Sequence, residues 1–299
     1  MTQQSYLYTD AGALRAPWRL LVFVVAAMAS LLVVGGVFGP IITRIMAPLG
    51  TSRVSSDEWI SAIAMLVATT FCVRVVDKRP WSDVWLGREN ATPGVLFAGF
   101  AVGALAIAIP TGLLIVGGWL RDEPSAAGSW LAAMVRVSLM LVPAAFVEEL
   151  MMRGYALSVL KDAWGWKWAI VATSILFGLL HIANAGATAG SIALVTLAGF
   201  FLAAVLYVTQ SLYAAWIAHF AWNWTMAAVF HVAVSGIPVE APNYRYVDAG
   251  PDWATGGEWG PEGGVPAALG MLAGMAVLFG NKQRRDAEAE ERANTHRES

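Results

Sequence analysis

Long apolar runs broken by short polar stretches dominate the chain, and their length, more than any amphipathic period, carries the first message. A helix that spans a bilayer needs about 20 apolar residues. About eight segments meet that need: Trp18–Phe38, Trp59–Val76, Val95–Leu120, Trp130–Leu160, Trp168–Ile182, Ser191–Val208, Leu212–Val234 and Val265–Gly280. In hydrocarbon each backbone polar group must find its partner within the protein, so helices are expected throughout. The fourth run is too long for one simple traverse, and Pro143 inside it is the expected kink. The expected fold class is therefore all-α, a polytopic membrane helical bundle.

Composition agrees. The chain is 58% hydrophobic and 13% charged, with a mean hydropathy of +0.60, outside the range of ordinary soluble domains. The lipid bilayer is thus the first partner, and an integral, multi-pass location follows. No basic patch interleaved with aromatics is present, so nucleic acid is not expected as a partner. Cys72 is the only cysteine, which leaves no disulfide framework and no thiolate metal site. It reads as packing in an apolar helix. No cleavable signal peptide is expected.

Charge sets the expected orientation. With the N-terminus inside, inner segments hold Arg15, Arg19, Lys78, Arg79, Arg88, Lys161, Lys167, Lys282, Arg284, Arg285, Arg292 and Arg297. The outer segments then hold only Arg44, Arg53, Arg121 and Arg245. Both termini are expected in the cytoplasm. The organisation reads as a cytoplasmic N-terminal segment (1–17), a transmembrane domain (18–280) and a charged cytoplasmic tail (281–299), helical at most in part. A Pro/Gly-rich outer loop (235–264) interrupts the domain and is expected to fold over the outer surface. Trp18, Trp59, Trp119, Trp130, Trp164, Trp166 and Trp168 cluster near the expected ends, as interfacial anchors do.

A few polar groups break the apolar runs. Glu148 and Glu149 are adjacent, and Arg153 follows four residues after the second. Ionisable groups at membrane depth cost roughly 2.5–3.5 kcal/mol on insertion scales, so they are seldom kept there without a task. Helical geometry puts Glu149 and Arg153 on one face and Glu148 on another. Arg153 would then neutralise Glu149 and leave Glu148 free for chemistry. His181 closes another apolar run, with Phe177 one turn before it, placed to pack under the imidazole. His219 and Asn223 share a face of a third. His231 and Arg136, nearer span ends, read as interfacial groups.

Taken singly, each has a plain structural reading as helix–helix glue or an ion pair. Together they form a chemical set. A carboxylate and an imidazole converging on water can remove its proton and aim it at a carbonyl. A second imidazole and an amide can stabilise the developing oxyanion. The same Glu148, His181 and His219 could instead ligate zinc, so the residues alone leave the metal open. No His-Glu-x-x-His helix and no Gly-x-Ser-x-Gly element is present.

These residues resemble the motifs of the CPBP intramembrane proteases, the family of CAAX prenyl endopeptidases and bacterial Abi-type immunity proteins. Its first motif, Glu-Glu-x-x-x-Arg, matches Glu148 to Arg153; Phe-x-x-x-His matches Phe177 to His181; His-x-x-x-Asn matches His219 to Asn223. Order and spacing agree over a motif core at 131–234. The resemblance implies an endopeptidase acting on a membrane-associated peptide or protein. Glu148 would be the general base, with His181 holding the water. His219 and Asn223 would stabilise the oxyanion, and Glu149, Arg153 and Phe177 would support them. The family is often labelled metalloprotease, yet it also resembles a glutamate-dependent hydrolase class, so no tightly bound cofactor is expected and zinc is the alternative. The expected location is a prokaryotic plasma membrane. Two other classes compete: a non-catalytic membrane immunity or binding protein, and a small proton-relaying transporter. The transporter would be expected to show internal symmetry, and none is visible.

Overall fold

A computed structural model describes residues 6–9, 12–51 and 53–298, with side chains as far as 294. Expectations for residues 1–5, 10, 11, 52 and 299 lie outside the described residues.

The chain is an all-α polytopic membrane bundle. Its helices are α1 (Ala16–Val33), α2 (Gly39–Met46), α3 (Arg53–Thr70), α4 (Pro93–Val116), α5 (Trp130–Glu149), α6 (Ala156–Leu180), α7 (Ala189–Thr209), α8 (Leu212–Trp224), the short α9 (Asp252–Thr255) and α10 (Val265–Glu298). π-helical turns extend α1, α3, α5 and α8. Among the described residues, six helical runs are long and apolar enough to cross a membrane, so the protein is an integral membrane protein. α8 falls below that length until Thr225–Phe230 continues it.

Several boundaries depart from the sequence reading. The first run continues to Leu49, well past Phe38, because Pro40 and Pro48 each sit near the start of a helical segment, where proline is tolerated. The fourth run, Trp130–Leu180, is broken at Gly154 and Gly165, not at Pro143. Proline at 143 removes one backbone donor, which would orphan the carbonyl of Leu139. Trp59 supplies the missing donor: its indole N–H bonds that carbonyl at 2.9 Å, and the helix runs on. Gly165 takes φ +75°, a conformation that glycine adopts at little cost. At the C-terminus the helix persists through Glu298. Ala, Glu, Arg and Gln favour helix, and Lys282 pairs with Asp286 one turn on.

Packing follows membrane logic, with small residues inside and large apolar ones outside. Ala214, Ala215, Ala218 and Ala221 of α8 are fully buried, whereas Leu32, Phe97, Leu113 and Leu269 are exposed. One close approach is between α4 and α8. Gly99 and Gly103 sit one turn apart on α4, and a Cβ at either would meet the α8 backbone, 2.6 Å from the Ala214 oxygen and 2.1 Å from that of Ala218. α8 carries His219, so this contact sets its depth and rotation. Near the start of α1, buried Arg19 bonds Asp77 at 2.5 Å and Asp162 at 3.4 Å, tying α1 to the end of the run that continues α3 and to α6 itself. Cys72 is fully buried in the core.

Some tryptophans do more than face lipid. Trp130 donates to the Ala228 carbonyl at 2.8 Å, and Trp166 packs on Trp85 and Tyr207.

The loop 235–264, expected outside and called the outer loop on that expectation, is folded. Its strand β2 (Tyr244–Asp248) pairs antiparallel with β1 (Leu120–Pro124), in register Leu120 to Asp248. His231, expected at an interface, is buried against this strand pair, with its ring against Tyr244 and Nδ1 2.8 Å from the Tyr244 carbonyl. Arg136 of α5 grips Glu240 through both carboxylate oxygens. Those hydrogen bonds hold the Glu240 carboxyl below the usual carboxylate range, against a smaller opposing effect of burial.

Replacing Gly103 with Val should force α4 and α8 apart. Overpacking of this kind costs typically 1–3 kcal/mol. A lowered unfolding midpoint in detergent is the expected readout, and an unchanged midpoint would contradict the packing described.

Candidate active site

Three stretches of helix bring the motif residues together. α5 ends at Glu149 and passes into a π-helical turn, Leu150–Tyr155. Such turns are frequent at functional sites because they re-aim side chains. Arg153, inside that turn, is completely buried, as is Glu149. The two bond at 2.9 Å (Nη1 to Oε1), as their spacing led one to expect. Arg153 also donates Nη2 to the Gly199 carbonyl of α7 at 3.1 Å and lies over the Phe177 ring, 4.2 Å from its centre. The charge is therefore paired, hydrogen-bonded and stacked.

Glu149 does more than neutralise arginine. Its Oε1 is 3.0 Å from His219 Nδ1, so one carboxylate oxygen bridges Arg153 and the imidazole of α8. The motif spacing gave no sign of this. A carboxylate only accepts, so Nδ1 carries the proton and Nε2 is turned to the other side. His181, at the C-terminal end of α6, is oriented in a similar way. Its Nδ1 lies 2.8 Å from the Phe177 carbonyl, which fixes the tautomer. Phe177 packs against both rings, 4.9 Å from His181 and 5.9 Å from His219.

Both Nε2 atoms face Glu148. Its Oε2 is 3.9 Å from His181 Nε2 and 3.9 Å from His219 Nε2. That atom is buried and accepts no hydrogen bond from the protein, although the side chain as a whole is 33% exposed. On α3, Glu58 is near enough for its charge to interact with that of Glu148. Asn223, one turn after His219, lines a cavity of about 30 Å³ with His181, His219 and Phe177. Glu148 is not among the cavity's lining residues; it meets the imidazoles from the α5 side.

As placed, the donors are spaced more widely than bonds to zinc would hold them. Bonds of about 2.0–2.1 Å in a tetrahedron put neighbouring donors about 3.3 Å apart, closer than the 3.9 Å found here. Among the described residues no group of three His, Cys, Asp or Glu is arranged to hold a metal ion.

The sequence reading missed Glu262. It lies in the outer loop, yet its side chain is buried and lines the same cavity. The one hint was its place among glycines and a proline immediately before an apolar run.

Residues 129–225 match a family model described as Type II CAAX prenyl endopeptidase Rce1-like. The match supports an assignment to the CAAX protease family. The match encloses all three motifs, from Glu148 to Asn223, and supports a CAAX-protease-type endopeptidase in general terms. Comparisons with curated proteins and with solved structures gave no match. Glu262 and the whole of the loop 235–264 lie beyond the stretch that matches the CAAX protease model.

The buried pair makes a stability prediction. Arg153→Met should cost about 3–5 kcal/mol, because it leaves Glu149 charged and uncompensated. The double variant Glu149→Leu/Arg153→Met should recover much of that loss in thermal unfolding. A double variant no more stable than the single one would contradict the charge argument.

Proposed function

We propose that the protein is an intramembrane endopeptidase that hydrolyses a peptide bond with a water activated by Glu148. One observation carries the reading: an unpartnered Glu148 oxygen lies 3.9 Å from each of two imidazole nitrogens. That gap is too long for a direct hydrogen bond and suits a bridging water. Glu148 takes the water's proton as general base. His181, with its Nδ1 proton on a carbonyl, offers the Nε2 lone pair to the same water and sets the direction of attack.

His219 serves the other side of the reaction. To donate from Nε2 while Nδ1–H is on Glu149, the ring acts as an imidazolium, placed between the Glu148 and Glu149 carboxylates. With the Asn223 amide, it would hold the oxyanion formed when water adds to the carbonyl. Collapse of that intermediate expels the amine, which takes the proton held by Glu148. No metal takes part in this scheme.

The substrate class follows from where the site lies. We read it as a membrane-associated peptide or protein, reached within the bundle and below the outer loop. With both termini in the cytoplasm, the loop-covered end faces outward, and a prokaryotic plasma membrane is the natural setting. The non-catalytic alternative, an immunity or binding protein, makes the opposite demand on Glu148.

Glu148→Gln, His181→Ala and His219→Ala should each lower kcat for cleavage of a membrane-anchored peptide by at least about a hundredfold, the scale of acid–base catalysis. Equal turnover by all three and wild type would remove the proposal. Full biological protection by a stably expressed Glu148→Gln protein would favour the binding reading. In addition, activity should survive prolonged chelation and dialysis. Loss of activity on chelation, restored by zinc, would overturn the metal-free scheme.

A further inference from the structure

The loop 235–264 reaches the cavity through Ser235 and Glu262, and Glu262 is the acidic one. Glu262 sits in a short 3-10 turn, Pro261–Gly263, immediately before α10. It accepts three hydrogen bonds, all from neutral donors. The Trp222 indole N–H bonds Oε2 at 2.9 Å, and the Ser235 backbone N–H and hydroxyl each bond Oε1 at 2.6 Å. The connections continue. The Ser235 carbonyl accepts from the Asn184 side chain at 3.0 Å, and the Asn184 backbone N–H bonds the His181 carbonyl at 3.1 Å. Trp222 is the neighbour of Asn223 and lies three residues after His219. An unbroken series of hydrogen bonds thus runs from α8 through Glu262 to the turn that carries His181.

We propose that Glu262 is a positioning residue of the hydrolytic site, latching the outer loop onto α8 and holding the His219–Asn223 face in register with His181. The proposal rests on the hydrolytic reading given above. Glu149 ties α8 to α5 on one side of the imidazoles, and Glu262 ties α8 to the His181 turn on the other. Fixing the indole of Trp222 fixes the rotation of α8, because each residue turns the helix by about 100°. Only a carboxylate answers all three donors. Glutamine in its place would aim an amide N–H₂ at one set, and a buried donor left unpaired is costly.

The test uses full-length protein in nanodiscs, with Glu262→Gln compared with wild type. Hydrogen exchange at the Ser235 amide reads the latch directly, because that N–H bonds Glu262. It should speed up by about ten- to hundredfold, the range expected for a lost charge-assisted bond, while α4 and α7 stay unchanged. On a membrane-anchored peptide, kcat should fall by about tenfold or more with KM within about threefold, as expected for misplaced oxyanion groups. Trp222→Phe should lower kcat similarly, and combining it with Glu262→Gln should add less than the sum. Glu240→Gln, which loosens the same loop at its Arg136 anchor, should leave kcat at wild-type level.

Unchanged exchange at both the Ser235 amide and the Trp222 indole N–H overturns the latch. Faster exchange with unchanged kcat, or an equal loss from Glu240→Gln, overturns the positioning role. If wild type and Glu148→Gln turn over alike, it is the hydrolytic reading that fails, and the catalytic role of Glu262 fails with it. The exchange rates then still decide the latch.

Discussion

Everything at the centre of this molecule depends on a carboxylate that does no chemistry in the proposed scheme. Glu149, wholly buried, shares one oxygen between Arg153 and His219 and so joins α5 to α8. Arg153 extends the connection to α7 through the Gly199 carbonyl and to α6 through the Phe177 ring. Four helices therefore meet on one ion pair. Such a pair is weak evidence for stability in itself, since desolvation offsets much of the attraction. Its value here is directional: it holds Nδ1–H of His219 on Glu149 and so sets which way Nε2 points.

The surrounding bundle serves that geometry. Lipid supplies no hydrophobic force between helices, so close packing of small residues must do the work. Gly99 and Gly103 let α4 lie against Ala214 and Ala218, one residue short of His219. The π-helical turn after Glu149 and the break at Gly154 let Arg153 turn inward while the chain changes course. From the opposite end the outer loop covers the site, pinned by its pairing with β1, by Arg136 on Glu240 and by Glu262.

In the proposed scheme two adjacent carboxylates take opposite roles through environment alone. Glu149 is spent on structure, surrounded by cation and imidazole. Glu148, one residue earlier and about 100° around the helix, keeps an oxygen free beside two nitrogens. The separation of structural from reactive carboxylate is what a water-activating site in an apolar bundle requires.

By itself the sequence determined the class of the fold and the list of polar groups at its centre. Apolar runs of bilayer length are a one-dimensional property, and so is the four-residue spacing that places Glu149 on Arg153 or Phe177 beside His181. Tertiary structure alone decided which groups meet across helices. The bridge from Glu149 to His219 spans 70 positions, and the Trp59 bond that spares α5 a kink at Pro143 spans 80. No local period encodes such contacts. Glu262 was the least legible residue for the same reason: it is an acidic residue in a Gly/Pro-rich loop, and only the folding of that loop onto Trp222 and Ser235 buries it beside the imidazoles.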